Sequence, residues 1–277
     1  IDVWAMDVAR FGDYASPQYG TIKSSENYER RFIMTFPNET LPKGRKQKTT
    51  ALYDRFVNDG AVMGDSFGLE NVLWFANNKE DAHEEPTIKR SRSHDYVSRE
   101  VINVRENVGL IEVANFAKHE FKGTDARKFL DHVMAGKLPK PGRISLSPML
   151  SYKGKLCGDL TVACFDENEF IVFGSGAAQE MHRRWFESHL DKFDVNYKNR
   201  SDDFHGISIA GPNSRKVLEK IVRDDVTNEK FKFRDSKRMF VGGVPAIINR
   251  ISFTGELGYE IYVAPHYQIK LYEELME

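Results

Sequence analysis

Two carboxylates stand where strand chemistry disfavours them. Asp159 lies between Gly158 and Leu160, inside an alternating apolar run from Lys155 to Phe165. Glu260 lies inside Gly258–Val263, where valine or isoleucine would suit a strand. Asp is depleted in strands, and a buried carboxylate costs free energy unless it is paired or hydrogen-bonded. Held in place, such a group can move a proton or steady a developing positive charge. Gly158 removes a side chain beside Asp159, so a ligand or a second backbone can come close. Taken alone, Asp159 also fits a solvent-facing pleat or a bulge cap. Three other constellations carry less. His182 and His189 are seven apart, compatible with one helical face, and without a third ligand they suit a partly exposed surface pair. His83 beside Glu84 and Glu85 sits in the polar stretch NNKEDAHEEPTIKRSR, which suits a solvated loop better than a metal site. Gly174-Ser175-Gly176 lacks the third glycine of a dinucleotide loop and suits a turn.

The elements around the carboxylates are hairpins. Ile144–Leu150, Lys155–Phe165 and Glu169–Phe173 alternate and are separated by Ser151–Gly154 and Asp166–Asn168, which predicts three antiparallel strands with Asp159 in the middle one. Val244–Ser252 and Gly258–Val263 predict a second hairpin, with Gly255 and Gly258 in its turn. Around these, the pattern predicts strands at Leu110–Val113, Phe116–Phe121 and His205–Ile209, and a short one at Phe231–Phe233. Helices are expected over Tyr53–Asp59, Asp95–Asn107, Thr124–Met134 with Thr124 as N-cap, Ala178–Leu190, Asn213–Val222 and His266–Met276. Residues 1–76 show no clean period and strong loop punctuation, including Ser16-Pro17. The basic run Lys43, Arg45, Lys46 and Lys48 suits a solvated loop, or a cradle for an acidic partner or a polyglutamylated tail. Trp4 and Trp74 suit packing. These breaks divide the chain into 1–92, 93–203 and 204–277.

With 277 residues the chain can hold a large core or two domains. Forty Lys and Arg against 41 Asp and Glu give a net charge of −1, which argues against a general nucleic-acid binder. No apolar run approaches the roughly 18 residues a membrane span needs, and Ile1–Gly12 lacks the form of a signal peptide. The first residue is not Met, as expected of a processed product or a fragment. The two cysteines, Cys157 and Cys164, are seven apart on one predicted strand, so they should point to opposite faces and stay reduced, as in a reducing compartment.

Several stretches together carry a resemblance. GDLTV at Gly158–Val162, AGP at Ala210–Pro212 and SFTGELGYEIYV at Ser252–Val263 resemble the aminomethyltransferase (glycine-cleavage T-protein) family. MDVARFGDYA, TFPNETLPKGR, LYDRF and GAVMGDSFGLENVLWFA are similar to the middle region of dimethylglycine and sarcosine dehydrogenases. The resemblance implies an α+β, T-protein-like folate-binding fold with split-βαβ (ferredoxin-like) units and antiparallel sheets, preceded by an irregular FAD-oxidoreductase middle segment. It makes 1–92 that middle region, 93–203 a first folate-binding subdomain and 204–277 a second that stops short of the family's full length. The implied function is the tetrahydrofolate-binding, one-carbon-transfer part of an N-methyl amine dehydrogenase, forming 5,10-methylene-tetrahydrofolate. FAD would sit in a domain outside this chain but in the same natural polypeptide, and the other partner would be a small methylated amine or its iminium. The setting would be a bacterial cytoplasm or the mitochondrial matrix.

The resemblance places the acid–base carboxylate at Asp159. Glu260 matches the residue that holds the pterin ring, Tyr259 stands beside it at the cofactor, and Phe253 matches an aromatic wall of the slot. T-proteins often carry Tyr at the positions of Leu146 and Phe253, and the loss of both hydroxyls favours the dehydrogenase branch. Two alternatives stay open: a non-catalytic relative like the regulatory subunit of pyruvate dehydrogenase phosphatase, and a stand-alone aminomethyltransferase. A nucleic-acid modification factor on the same fold would need a basic face that this sequence lacks.

Overall fold

The computed structural model describes residues 6–37 and 39–277, so Trp4 lies outside the described residues. The described residues divide into two compact units, one within 11–105, the other 106–277 together with 6–10.

In the first unit, Pro17–Glu29 forms α1. Ser16 caps it, accepting from the Tyr19 N–H at 3.1 Å, and Pro17 takes the first helical position, where its missing N–H costs nothing. The Ser-Pro pair expected to mark a loop is therefore a helix start. Tyr53–Asn58 forms α2, ended by Gly60 at φ +92. Ala61–Ser66 (β1) and Leu69–Phe75 (β2) pair as an antiparallel hairpin. Ser93–Glu106 forms α3, whose Tyr96 and Val97 pack on Val62, Trp74 and Ala76. That packing groups α3 with the N-terminal segment, although the sequence places its boundary ahead of the helix. Trp74 is buried as expected and donates to Glu84 at 2.5 Å. Arg45 leaves the basic run and turns inward, its Nε 2.8 Å from Oε1 of the buried Glu70. Lys43 pairs with Glu29, and Lys46 lies over the Tyr53 ring.

The second unit holds two five-stranded antiparallel sheets. The strands are Gly109–Glu112 (β3), Ala117–Lys122 (β4), Arg143–Leu150 (β5), Leu156–Asp166 (β6), Glu169–Gly174 (β7), Asn196–Asn199 (β8), His205–Ala210 (β9), Ser236–Val241 (β10), Val244–Asn249 (β11) and Gly258–Val263 (β12). Sheet I runs β5-β6-β7-β4-β8, and sheet II runs β10-β11-β12-β9-β3. The three-strand motif and the C-terminal hairpin match expectation closely. Strand β10 forms at 236–241, where none was expected, and Phe231–Phe233 is not a strand. β3 pairs with β9, so the two expected subdomains share sheet II.

Successive strand residues point to opposite faces, so each sheet has two. Outside sheet I pack Ala126–Val133 (α4) and Gln179–Glu187 (α5), through Phe129, Leu130, Val133 and Phe186. Thr124 does not cap α4; its hydroxyl donates to Asp194 at 2.7 Å. Outside sheet II lie Ser214–Ile221 (α6) and Gln268–Met276 (α7), with Leu218, Leu271 and Leu275 buried. The inner faces meet in one core in which Ile144, Ala163, Ile171 and Phe173 of sheet I pack with Ile247 and Tyr262 of sheet II. The Phe173 and Tyr262 rings are 4.8 Å apart, a contact worth about 0.5–1.5 kcal/mol beyond its buried area.

Candidate active site

Register decides which side chains share the space between the sheets. Across sheet I, Leu146, Thr161, Phe173 and Lys118 stand side by side. Phe173 belongs to the inter-sheet core, so the row faces inward. Asp159 is two residues from Thr161 and directly opposite Pro148, so it shares that face one step further out. It is exposed. Leu146 is 66% exposed. This end of the inter-sheet space is therefore open, with an aliphatic side chain and a carboxylate at its mouth.

A bulge sets the aim of Asp159. Leu156 pairs with Leu150 and Gly158 with Met149, leaving Cys157 as the extra residue. Bulges re-aim side chains in this way. They also explain why both cysteines, expected on opposite faces, pack against the same core behind sheet I. Both are free thiols, and burial pushes Cys164 up to about 11. Gly158 is required here, because a Cβ would stand 2.9 Å from Nε2 of His182. Expected on the surface, His182 is buried instead, on α5, with its Nε2 turned toward Gly158. Its neighbour is His119, with ring centroids 6.1 Å apart, rather than His189. His119 bonds the Tyr197 hydroxyl through Nδ1 at 2.8 Å. Burial, then the charge of His182, pulls His119 down to about 3; burial pulls His182 down to about 4. Both rings are neutral at pH 7.

On sheet II the facing row is Asn249, Glu260 and Ser208. Glu260 is two residues from Tyr262, which lies in the inter-sheet core, so it faces the same space. It is 8% exposed, and its Oε2 accepts from the Tyr262 hydroxyl at 2.9 Å. Among the described residues no donor bonds Oε1. Burial raises the Glu260 carboxyl, opposed by the Tyr262 hydrogen bond and the charge of Lys118. Burial and the neighbouring Glu260 raise Tyr262 well above the usual tyrosine range. Gly206 makes room for the Tyr262 ring, since a Cβ there would stand 2.5 Å from Cε1.

The expected site residues therefore separate. Asp159, Leu146 and Glu260 face the inter-sheet space. Tyr259 points the other way, as a residue adjacent to Glu260 in a strand must. It is fully buried, stacked on Phe231 at 5.7 Å, and its hydroxyl accepts from Arg215 at 3.1 Å. Phe253 lies in the loop between β11 and β12 and is 93% exposed. Lys118 and Tyr262 escape a reading from sequence. Lys118 follows the β4 alternation but offers nothing to distinguish it from a surface lysine, and Tyr262 looks like any aromatic strand residue. Among the described residues no cluster of three metal-ligating side chains occurs, and no helix is long and apolar enough to cross a membrane.

Comparison with known proteins accords with this fold. The GCVT N-terminal domain family matches residues 52–277. The chain belongs to that family. The FAD dependent oxidoreductase central domain matches residues 1–50. Human mitochondrial dimethylglycine dehydrogenase is 33% identical over 279 residues, covering 99% of this chain and 32% of that protein. The α subunit of sarcosine oxidase from Rhizobium meliloti is 32% identical over 83% of this chain and 23% of its own length. An aminomethyltransferase of Desulfitobacterium hafniense is 27% identical over 83% of this chain and 58% of its own length. The crystal structure of glycine cleavage system aminomethyltransferase T from Bartonella henselae superimposes with a TM-score of 0.68 at 19% identity, over 83% of this chain and 57% of that one. The fold is thus T-protein-like, with mixed helices and antiparallel sheets. The chain spans about a third of the length of the dimethylglycine dehydrogenases it matches.

Proposed function

We propose that this chain is the tetrahydrofolate-binding, one-carbon-accepting part of an N-methyl amine dehydrogenase of the dimethylglycine or sarcosine type. The observation that carries the reading is Glu260, a buried carboxylate facing the inter-sheet space whose Oε1 accepts from no donor among the described residues. The amino-pyrimidine edge of a pterin offers two parallel N–H donors, the complement that a carboxylate takes from an arginine fork. The residues present fit such a ring: Glu260 for its donor edge, Tyr262 to orient the carboxylate, and Leu146 as an apolar side chain at the mouth.

Bound folate would supply a nucleophilic nitrogen for the one-carbon unit. Asp159 would accept the proton that nitrogen loses and steady positive charge near it, tasks suited to an exposed carboxylate that accepts from no donor among the described residues. The Cys157 bulge sets the face on which Asp159 stands. Flavin oxidation of the amine would take place in another module of a longer polypeptide, for which the match of residues 1–50 to an FAD dependent oxidoreductase domain is the support. Hydrogen exchange tests the placement: saturating tetrahydrofolate should protect the β5–β6 and β11–β12 hairpins. Unchanged exchange in both, with folate bound, would put the site elsewhere.

A further inference from the structure

The geometry points to Asn249 as the residue that reads the 4-oxo group of the bound pterin. The inference rests on the folate reading of Glu260. Asn249 stands directly opposite Glu260 in the β11–β12 pairing, so the two share a face with Cβ atoms about 4.5–5.5 Å apart. It is two residues from Ile247 of the inter-sheet core, and therefore faces the space between the sheets. It has no exposed surface. On its other flank stands Ser236 of β10, also buried, whose hydroxyl donates to Asn249 Oδ1 at 2.7 Å. The Ser236 proton needs an acceptor, which turns Oδ1 toward β10 and leaves Nδ2 as the free end of the amide. Nδ2 is buried and has no hydrogen-bond partner among the described residues. Buried polar groups are almost always paired, so an open amide donor beside a buried carboxylate calls for a partner that the chain does not supply.

Nδ2 of Asn249 and Oε1 of Glu260 are thus a donor and an acceptor on paired residues that do not bond each other. The complement of such a pair is an acceptor next to an N–H, the edge of a lactam. The oxo-pyrimidine ring of folate carries that edge: its 4-oxo oxygen adjoins N3–H, and the 2-amino group follows. With N3–H and the 2-amino group on Glu260, the 4-oxo oxygen falls on one flank of the carboxylate, and the open donor on a flank is Asn249. A ring whose 4-position accepts poorly leaves that buried donor unpaired, so the site prefers an oxopterin.

The test is a cycle of two proteins and two ligands, read as affinity by calorimetry. The proteins are the wild type and Asn249→Leu, which is of similar size and lacks the donor. The ligands are tetrahydrofolate and its 4-thioxo analogue, which keeps N3–H and the 2-amino group and puts a weakly accepting sulfur in place of the oxygen. The wild type should bind tetrahydrofolate about fivefold or more tighter than the analogue, and in Asn249→Leu that preference should shrink to about twofold or less. Contacts of Glu260 are common to both ligands and cancel in the comparison. The same preference in both proteins would overturn the inference, since the amide would then serve Ser236 alone. Absence of tetrahydrofolate binding by the wild type would refute the folate reading and this inference with it, whereas binding with an unchanged preference refutes the role of Asn249 alone. Because Asn249→Leu strands the Ser236 hydroxyl, the pair Asn249→Leu with Ser236→Ala is the second variant, with the same expected outcome. Should neither fold, the wild type decides: equal affinity for the two ligands overturns the inference.

Discussion

Mild acid should destabilise the second unit through two buried histidines. In the folded chain His119 titrates at about 3 and His182 at about 4, both lowered by burial from an ordinary 6.5. The unfolded chain therefore binds protons that the folded chain refuses. For a depressed histidine the stabilising contribution is complete above the unfolded value and is lost as pH falls below 6.5 toward the folded value. At pH 5 both folded rings are still neutral while both unfolded rings are charged. Each ring then costs about 2 kcal/mol relative to pH 7, and the pair about 4. That is a large part of the roughly 5–15 kcal/mol that holds a domain together. The perturbation is His182→Leu, which keeps the apolar volume between Gly158 and Gly174 and removes one titrating ring. Urea unfolding followed by circular dichroism at pH 7 and pH 5 reads both slopes. Wild type should lose about 2 kcal/mol more than His182→Leu between the two pH values. Equal losses would show that His182 is not held neutral in the fold.

Three further outcomes follow from the same contacts. Gly158→Ala puts a methyl 2.9 Å from His182 Nε2 and 3.3 Å from Leu160 and Met149, so it should destabilise the fold by about 1–3 kcal/mol, read as a lower Tm; an unchanged Tm would contradict the packing described. Arg45→Met leaves the buried Glu70 carboxylate without its cation and should cost about 3–5 kcal/mol in the first unit, measurable by the same unfolding assay. Asp159→Asn, at an exposed position, should change stability by no more than about 0.5 kcal/mol. In the dehydrogenase proposed above it should cut one-carbon capture by about 10²–10⁴-fold, with formaldehyde released instead; normal product partition would remove Asp159 from the chemistry.

The parts legible from sequence were those with local patterning. The β5–β6–β7 run and the β11–β12 hairpin alternate cleanly and end in Asp, Asn, Ser and Gly, and both carboxylates fell inside strands as expected. What escaped depends on partners distant in the chain. Ser16-Pro17 looks like loop punctuation until the helix it caps is present. Cys157 changes face because of a bulge, whose extra residue is visible only in the pairing with β5. His182 is buried because glycines at 158 and 174 leave it a notch, and its neighbour His119 lies on another strand. Tyr259 was placed beside Glu260 by adjacency, yet strand parity sends the two to opposite faces. Lys118 becomes informative only when sheet II closes over it.

The measurement that bears most directly on the account is calorimetric titration of the chain with tetrahydrofolate, beside Glu260→Gln. The substitution turns one acceptor into a donor facing the pterin's own donors, at a cost of about 1–3 kcal/mol for an unsatisfied buried polar group. The wild type should bind, and Glu260→Gln should bind roughly tenfold to a hundredfold more weakly with its fold intact. Equal affinity of the two proteins would contradict the placement of the pterin at Glu260.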